Sequence, residues 1–147
     1  MIKITETNDY KELKKLFIEN GLEVGAEPDP DDLVKCWRMT DESESPPKLA
    51  GGIVLAKREG EFIIDGIAVD AAFRGQDAGT ALLALATEEA RMLGGERIFL
   101  VARAPEFFKK RWFKSVPKES APEFFECRTC SQFEKTCYPE VMKLEVV

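Results

Sequence analysis

The sequence predicts an α/β protein whose central mixed sheet carries helices on both faces. The first observation is the order of its predicted elements: a strand, a helix, three strands, a helix, a strand, a short helix and a closing strand. The second is an apolar strand from Ile63 to Val69 that enters a polar turn and then directly a helix. A chain of 147 residues can bury one core and is short for two. Residues 1–147 are therefore expected to form one domain.

The elements before residue 70 follow from capping, periodicity and turn signals. Residues 1–6 are expected to be a strand, and residues 7–20 an amphipathic helix with a cap at Thr7 to Asp9 and an end at Gly21. Alternating or apolar runs predict strands at 33–40, 49–57 and 62–69, with a hairpin turn at 58–61. Residues 23–32, which are rich in acid, Gly and Pro, are expected to form a loop.

The elements after the polar turn are equally regular. An apolar stripe with a period near 3.6 predicts a helix over 77–93, which Gly94 and Gly95 end. The apolar run 97–102 has the length of a buried strand. Pro105 suits the first position of a short helix that reaches Phe113, and residues 141–147 alternate as a final strand.

Composition and charge indicate where the protein is expected to be located and which classes of partner are unfavourable. Hydrophobic residues make up 44% and charged residues 33%, and no apolar run approaches the roughly 20 residues of a membrane helix. The first residues lack the features of a signal peptide, so a cytoplasmic location is expected. A net charge of −6 argues against nucleic-acid binding.

Histidine is absent, which excludes every catalytic and metal-binding role that requires an imidazole. Hydrolysis by a Ser-His-Asp triad and proteolysis by a Cys-His pair are therefore ruled out. Any general base must be a carboxylate, a thiolate, a lysine or tyrosine of shifted pKa, or a relayed water.

The polar turn from Arg74 to Gly79 predicts an anion site. It aims backbone N–H groups at the positive start of a helix, where they lack partners, and Arg74 adds a charge suited to phosphate. A simple strand-to-helix turn with a surface arginine is the alternative interpretation. Asp77 would oppose a phosphate unless its side chain points away or caps the helix, a role for which Asp is well suited.

This stretch resembles the acyl-coenzyme A binding motif of the GNAT family of acetyltransferases, Gln/Arg-x-x-Gly-x-Gly/Ala between a strand and a helix. Arg74 and Gly79 fit the motif, whereas Asp77 stands where the family usually has glycine. The resemblance implies an acetyl-coenzyme A-dependent N-acetyltransferase in which the fourth strand separates from the fifth. Backbone groups of the fourth strand would bind the pantetheine arm and the acetyl carbonyl, and the turn would hold the pyrophosphate. The implied cofactor residues are Ile67, Ala68, Val69, Arg74, Gly75, Gln76, Asp77, Ala78, Gly79 and Thr80.

Asp65 is the candidate general base, because the family often has a carboxylate on the strand that leads into the motif. Burial would raise its pKa toward a useful value, and it could act through water. Alternatively, Asp65 faces solvent or pairs with a lysine.

The helix that starts at Pro105 resembles the family pattern Phe-Tyr-x-Lys-x-Gly-Phe. Phe108 replaces the tyrosine that usually protonates the leaving thiolate, and Trp112 replaces the glycine. A phenyl ring donates no proton, so solvent or another group must act as acid, or the thiolate leaves unassisted. Phe107 and Phe108 are expected to line the pantetheine arm, to pack in the core, or both.

A weaker resemblance connects the chain to amino-acid N-acetyltransferases of the N-acetylglutamate synthase type. They share the Phe-Phe helix and often have a cysteine-rich segment before the last strand. This implies a small primary amine as acceptor, with an amino acid as one candidate, and Arg38 or Arg103 could clamp its carboxylate. Each arginine could instead be an ordinary surface charge. Dimers are common in the family, so the resemblance also allows a homodimer.

The cysteine pattern leaves two further functions open. Cys127, Cys130 and Cys137 could bind zinc with Cys36 or a carboxylate, although free thiols are favoured and a Cys127–Cys130 redox pair is a third alternative. The protein could therefore be a zinc-dependent interaction module. Asp77 and Phe108 favour another alternative, a non-catalytic acyl-coenzyme A-binding or regulatory domain on the same fold.

Overall fold

The computed structural model describes residues 2–19, 33–43, 45–58, 60–70, 77–102, 105–117 and 140–146. Its strands are β1 (Ile2–Thr7), β2 (Leu33–Asp41), β3 (Lys48–Arg58), β4 (Glu61–Val69), β5 (Arg97–Ala102), β6 (Lys114–Ser115) and β7 (Glu140–Glu145). Its helices are α1 (Tyr10–Glu19), α2 (Ala78–Met92) and α3 (Pro105–Lys109). The predicted order of elements is confirmed, and the two-residue strand β6 is an addition to it.

The described strands form one mixed sheet of seven, in the order β1-β2-β3-β4-β5-β7-β6. Strands β1 to β4 pair antiparallel in sequence order, and β7 pairs antiparallel with both β5 and β6. The β4–β5 pair is parallel, because α2 connects these strands as a crossover. The mixed sheet predicted from the order of elements is thus confirmed.

Strands β4 and β5 touch over only a short length. Their register joins Phe62 to Ile98 and Ile63 to Phe99, whereas β5 pairs with β7 from Arg97 through Ala102. Strand β5 therefore stays paired with β7 along its whole length, whereas it separates from β4 beyond Ile63. We call the space between β4 and β5 beyond this point the strand gap.

The two long helices cover opposite faces of the sheet. Helix α2 packs Leu82, Leu83, Ala86 and Ala90 into a core that includes Trp37, Ile53, Leu55, Ile64 and Leu100. Helix α1 packs Tyr10, Leu13, Leu16 and Phe17 against Cys36, Val54 and Ala68. None of the described helices is long and apolar enough to span a bilayer.

Helix α1 approaches the sheet closely because two positions beneath it are glycines. A Cβ atom at Gly52 would lie 2.3 Å from Leu13 Cδ2, and one at Gly66 would lie 2.6 Å from Phe17 Cε2. Both separations are far shorter than van der Waals contact. Side chains at these positions would lift α1 away from β3 and β4.

The predicted helix ends are confirmed in part. Asp9 caps α1, since its Oδ1 accepts the Glu12 N–H at 3.1 Å. Gly94 follows α2 with a φ of 87°, as expected for a glycine that ends a helix. The predicted helix that reaches Phe113 is too long, because α3 ends at Lys109 and the chain then turns.

Candidate active site

Asp65 occupies a β-bulge beside the strand gap. The β3–β4 register joins Val54 to Gly66 and Leu55 to Ile64, so Asp65 is an extra residue on β4. Bulges redirect side chains and are over-represented next to active sites. Here the bulge directs Asp65 and Gly66 toward the same helix, α1. Asp65 lies two residues beyond Ile63, the last residue of β4 that pairs with β5.

The carboxylate of Asp65 is half-buried and contacts a tyrosine hydroxyl. The buried Tyr10 donates a hydrogen bond of 3.4 Å from its hydroxyl to Asp65 Oδ2. The thiol of Cys36 is also close enough to respond to this carboxylate. Burial raises the pKa of Cys36 to about 11, and the negative charge of Asp65 adds to the rise. Cys36 therefore stays protonated near neutral pH and is a poor nucleophile.

Arg38 lies on the same face of the sheet and binds a carboxylate of the protein itself. Its Nη1 donates to both carboxylate oxygens of Glu12, at 3.2 and 3.1 Å. In the register, Arg38 is opposite Gly52, which is opposite Ala68 of β4. Glu12 and Tyr10 both belong to the first turn of α1, so this turn contacts the two predicted site residues Arg38 and Asp65. The other candidate clamp, Arg103, lies outside the described residues.

Beyond the bulge, β4 continues along the strand gap. Ile67, Ala68 and Val69 pair with β3, while the described part of β5 contacts β4 only nearer its start. These three predicted cofactor residues therefore border the gap. Their proposed contacts with a pantetheine arm stay a prediction.

The start of α2 has the backbone geometry of an anion site. The first bond within the helix joins the Ala81 N–H to the Asp77 carbonyl at 3.0 Å, so the N–H groups of Ala78, Gly79 and Thr80 have no acceptor within the helix. Asp77 occupies the N-cap position with a left-handed φ of 59°. The remaining predicted residues of the turn, Arg74, Gly75 and Gln76, lie outside the described residues.

Of the two ways in which Asp77 could be accommodated, a side chain that points away or one that caps α2, the structure does not show the cap. Asp77 is exposed, and its side chain makes no capping hydrogen bond. The left-handed backbone explains why the family usually has glycine here, since glycine adopts it without strain. Asp tolerates the same region better than most residues.

Phe107 and Phe108 pack in the core, as one of the two interpretations predicted. Their rings stack at 5.0 Å, and the buried Phe108 meets Phe113 edge-on at 5.6 Å. A Cβ atom at Gly79 would lie 2.9 Å from Phe107 Cζ, so this glycine lets α3 pack against the start of α2. Whether the two rings also line a pantetheine arm stays a prediction.

Sequence reasoning missed Arg111, which connects α3 to the start of α2. Its Nε donates to Thr80 Oγ1 at 2.7 Å, and its Nη1 donates to the Phe107 carbonyl at 2.7 Å. The guanidinium also lies 3.8 Å above the Phe107 ring. Arg111 thus holds a permanent positive charge beside the candidate anion site. The sequence feature that could have indicated Arg111 is the basic cluster to which it belongs, with Lys109, Lys110 and Lys114.

The metal hypothesis receives no support from the part of the chain that the structure describes. Within that part, no group of three or more Cys, Asp or Glu side chains is arranged to hold a metal ion. Cys36 is a free, buried thiol. Cys127, Cys130 and Cys137 lie outside the described residues, so their role stays a prediction.

Solved acetyltransferase structures share this fold. N-acetylglutamate synthase from Neisseria gonorrhoeae, complexed with coenzyme A and N-acetyl-glutamate, is 16% identical with a TM-score of 0.73. The similarity covers 100% of this chain but only 35% of the synthase. A GNAT acetyltransferase from Staphylococcus aureus is 15% identical, with complete coverage of both chains and a TM-score of 0.71.

A third similar structure is the ribosomal-protein-S18-alanine N-acetyltransferase from Escherichia coli. It is 17% identical over 99% of this chain and 94% of its own, with a TM-score of 0.66. No curated protein sequence matches the chain significantly. The model of the acetyltransferase (GNAT) family matches residues 9–114, which include the bulge at Asp65, the start of α2 and Arg111. The chain therefore belongs to the GNAT family of acetyl-coenzyme A-dependent N-acetyltransferases.

Proposed function

We propose that the protein transfers the acetyl group of acetyl-coenzyme A to the primary amine of a small molecule that also carries a carboxylate, with an amino acid as the first candidate. The observation that carries the proposal is the bulge that brings Asp65 beside the strand gap, on the face that also holds Arg38. One side chain can accept a proton and the other can bind a carboxylate. Together they suit an acceptor that has both groups.

The start of α2 is the proposed site of the coenzyme diphosphate. The N–H groups of Ala78, Gly79 and Thr80 and the charge of Arg111 are suited to phosphate oxygens. From there, the pantetheine arm would run along Ile67, Ala68 and Val69 into the strand gap. This path would bring the thioester to the part of β4 that carries Asp65.

The proposed reaction removes two protons from the acceptor nitrogen, one before the attack and one after it. Asp65 takes a proton from the ammonium group, directly or through water, and the free amine attacks the thioester carbon. A C–N bond forms, the C–S bond breaks, coenzyme A leaves as thiolate, and the second proton of the nitrogen passes to solvent water. Because Phe108 has no proton to give and a thiol has a pKa near 8.5, we propose that the thiolate leaves unassisted.

Arg38 is the proposed clamp for the acceptor carboxylate. It already binds the carboxylate of Glu12, so an incoming carboxylate would replace one partner with another of the same chemistry. N-acetyl-glutamate, which is bound in one of the similar structures, is an acetylated amino acid and supports this class of acceptor. The Escherichia coli protein similar to this chain is named for an alanine of a ribosomal protein, so a protein N-terminus is the second candidate.

The base is tested with Asp65→Asn. We expect kcat to fall by about a hundredfold, because a general base contributes on the order of 10²–10⁴ in rate, while affinity for acetyl-coenzyme A changes little. The rising acidic limb of the wild-type pH–rate profile should also disappear. Asp70→Asn, at the end of the same strand, is the matched control. An unchanged pH–rate profile for Asp65→Asn would remove Asp65 as the base.

The acceptor class is tested with pairs of compounds that differ in one group. Amino acids, their amides and short peptides all have an α-amine, but only the free amino acids carry an adjacent carboxylate. The proposal expects amino acids to have the lowest KM, and Arg38→Met to raise that KM without affecting the amides. Arg91→Met removes an equal charge from an exposed ion pair and serves as the control. Preference for peptides would favour a protein N-terminus instead.

A further inference from the structure

The segment from Lys109 to Lys114 combines positive charge with an exposed aromatic ring. Four of its six residues are basic, in a protein with a net charge of −6. Lys110 and Lys114 are exposed, and Trp112 is 82% exposed. We call this segment the basic-aromatic turn. Basic side chains interspersed with aromatic rings are typical of surfaces that bind nucleotides, because the ring stacks on a base while the cations bind phosphate.

Trp112 is held in a backbone conformation that favours glycine. Its φ is 73°, in the left-handed region where bulky residues are rare. Two hydrogen bonds that end α3 fix this conformation: the Trp112 N–H donates to the Lys109 carbonyl at 3.2 Å, and the Phe113 N–H donates to the Phe108 carbonyl at 3.1 Å. Residues retained in such conformations cluster at ligand sites. The strain therefore indicates that the indole itself has a role.

The position of Arg111 connects the turn to the coenzyme site. Arg111 precedes Trp112 and binds Thr80 in the first turn of α2, where the coenzyme diphosphate is proposed to lie. Two of its five N–H donors are used in its bonds to Thr80 and to the Phe107 carbonyl. In coenzyme A, the diphosphate is joined directly to an adenosine that carries a 3′-phosphate. An adenosine attached to a diphosphate at α2 would therefore lie within reach of the turn.

We propose that the basic-aromatic turn binds the adenosine 3′-phosphate end of coenzyme A, with the adenine stacked on Trp112 and the phosphates facing Arg111, Lys110 and Lys114. This proposal rests on the proposed function, which puts the diphosphate at the start of α2. It adds a specificity element, since it selects donors that carry the nucleotide over thioesters of pantetheine alone. Because the protein as a whole carries a net charge of −6, a local cluster of positive side chains is a distinct feature of its surface, and its charge is complementary to an anionic ligand.

The test uses Trp112→Gly, which keeps the left-handed backbone and removes the ring. Kd is measured for acetyl-coenzyme A and for acetyl-4′-phosphopantetheine, which lacks the nucleotide, with both wild type and variant. Loss of one stacking partner should raise the Kd of acetyl-coenzyme A roughly tenfold and leave that of the phosphopantetheine thioester unchanged. Met92→Gly, another exposed apolar side chain removed at a distance from the turn, is the control.

Fluorescence provides an independent readout. The protein has two tryptophans, and Trp37 is only 5% exposed, so a change of emission on adding adenosine 3′,5′-diphosphate should come from Trp112 and vanish in Trp112→Gly. Equal weakening of both thioesters, or no weakening, would overturn the proposal. If adenosine 3′,5′-diphosphate binds but acetyl-coenzyme A does not, the proposed function with acetyl-coenzyme A as donor is refuted, while the turn remains a nucleotide site. Tighter binding of an RNA oligonucleotide than of acetyl-coenzyme A would overturn the assigned ligand.

Discussion

Helices α2 and α3 end in the same hydrogen-bonding motif but place different residues at its left-handed position. In each, one N–H bonds back three residues and the next N–H bonds back five. The pairs are Gly94 to Arg91 and Gly95 to Ala90 in α2, and Trp112 to Lys109 and Phe113 to Phe108 in α3. The left-handed residue is Gly94, with a φ of 87°, in one helix and Trp112, with a φ of 73°, in the other.

At Gly94 only the backbone conformation matters, whereas at Trp112 the side chain matters as well. At Gly94 nothing lies within 4 Å of an added Cβ atom, so glycine is present there for conformation and not for space. At Trp112 the same conformation is kept despite its cost. The residues that precede the two left-handed positions also differ in their contacts. Leu93 is 53% exposed, whereas Arg111 donates a hydrogen bond to Thr80 and stacks on Phe107.

The largest expected effect comes from the residues that precede the left-handed positions. Arg111→Ala should lower the free energy of unfolding by about 2 kcal/mol, because it removes hydrogen bonds made by a charged group. Leu93→Ala, the equivalent change at the end of α2, should cost less than about 0.5 kcal/mol, since its side chain is largely exposed. Urea denaturation measures both. Equal losses would mean that Arg111 contributes no more to the fold than a surface residue.

A smaller effect is expected when the tryptophan of α3 is introduced at the end of α2. Gly94→Trp should lower the free energy of unfolding by about 1–2 kcal/mol, the cost of a left-handed non-glycine residue. The added side chain meets open space, so overpacking does not contribute. Met92→Trp adds the same ring at an exposed helical position and should be nearly neutral. If both variants unfold at the same urea concentration, the backbone argument fails at this site.

The smallest expected effect has the opposite sign. Trp112→Gly should raise the free energy of unfolding by about 1 kcal/mol, because relief of the left-handed strain exceeds the entropy that glycine adds to the unfolded chain. The same variant is expected to bind acetyl-coenzyme A more weakly, so stability and affinity should change in opposite directions. A lower melting temperature would show that the indole supports the fold instead.

Much of the fold could be predicted from the sequence because its signals are local. The order of the elements and most of their bounds follow from features of residues close together in sequence. These features are the hydrophobic period, the cap at Asp9 and the helix end at Gly94. The length of α3 was overestimated because Trp112 stands where the family pattern has glycine, so the residue that usually marks the end of a helix is missing.

The details of the site could not be predicted, because they depend on partners that are distant in sequence. The bulge at Asp65 exists only in the register of β4 against β3, and the bond from Tyr10 to Asp65 requires α1 to lie over that strand. Likewise, Gly79 fits a phosphate motif in sequence, whereas in the structure its missing side chain also makes room for Phe107. A substitution at Gly79 would therefore disturb the packing of α3 together with any phosphate site.

The short β4–β5 contact also has a consequence for how the protein assembles. Among the described residues, the sheet consists of two groups of strands, β1 to β4 and β5 to β7, and the strand pairing between the groups is only two residue pairs long. Strand β7, which lies between β5 and β6, comes last in sequence, so the second group can form only after this strand is available. Amides of β2 and β3 should consequently retain hydrogen against exchange under conditions in which those of β5 and β7 already open as a separate cooperative unit.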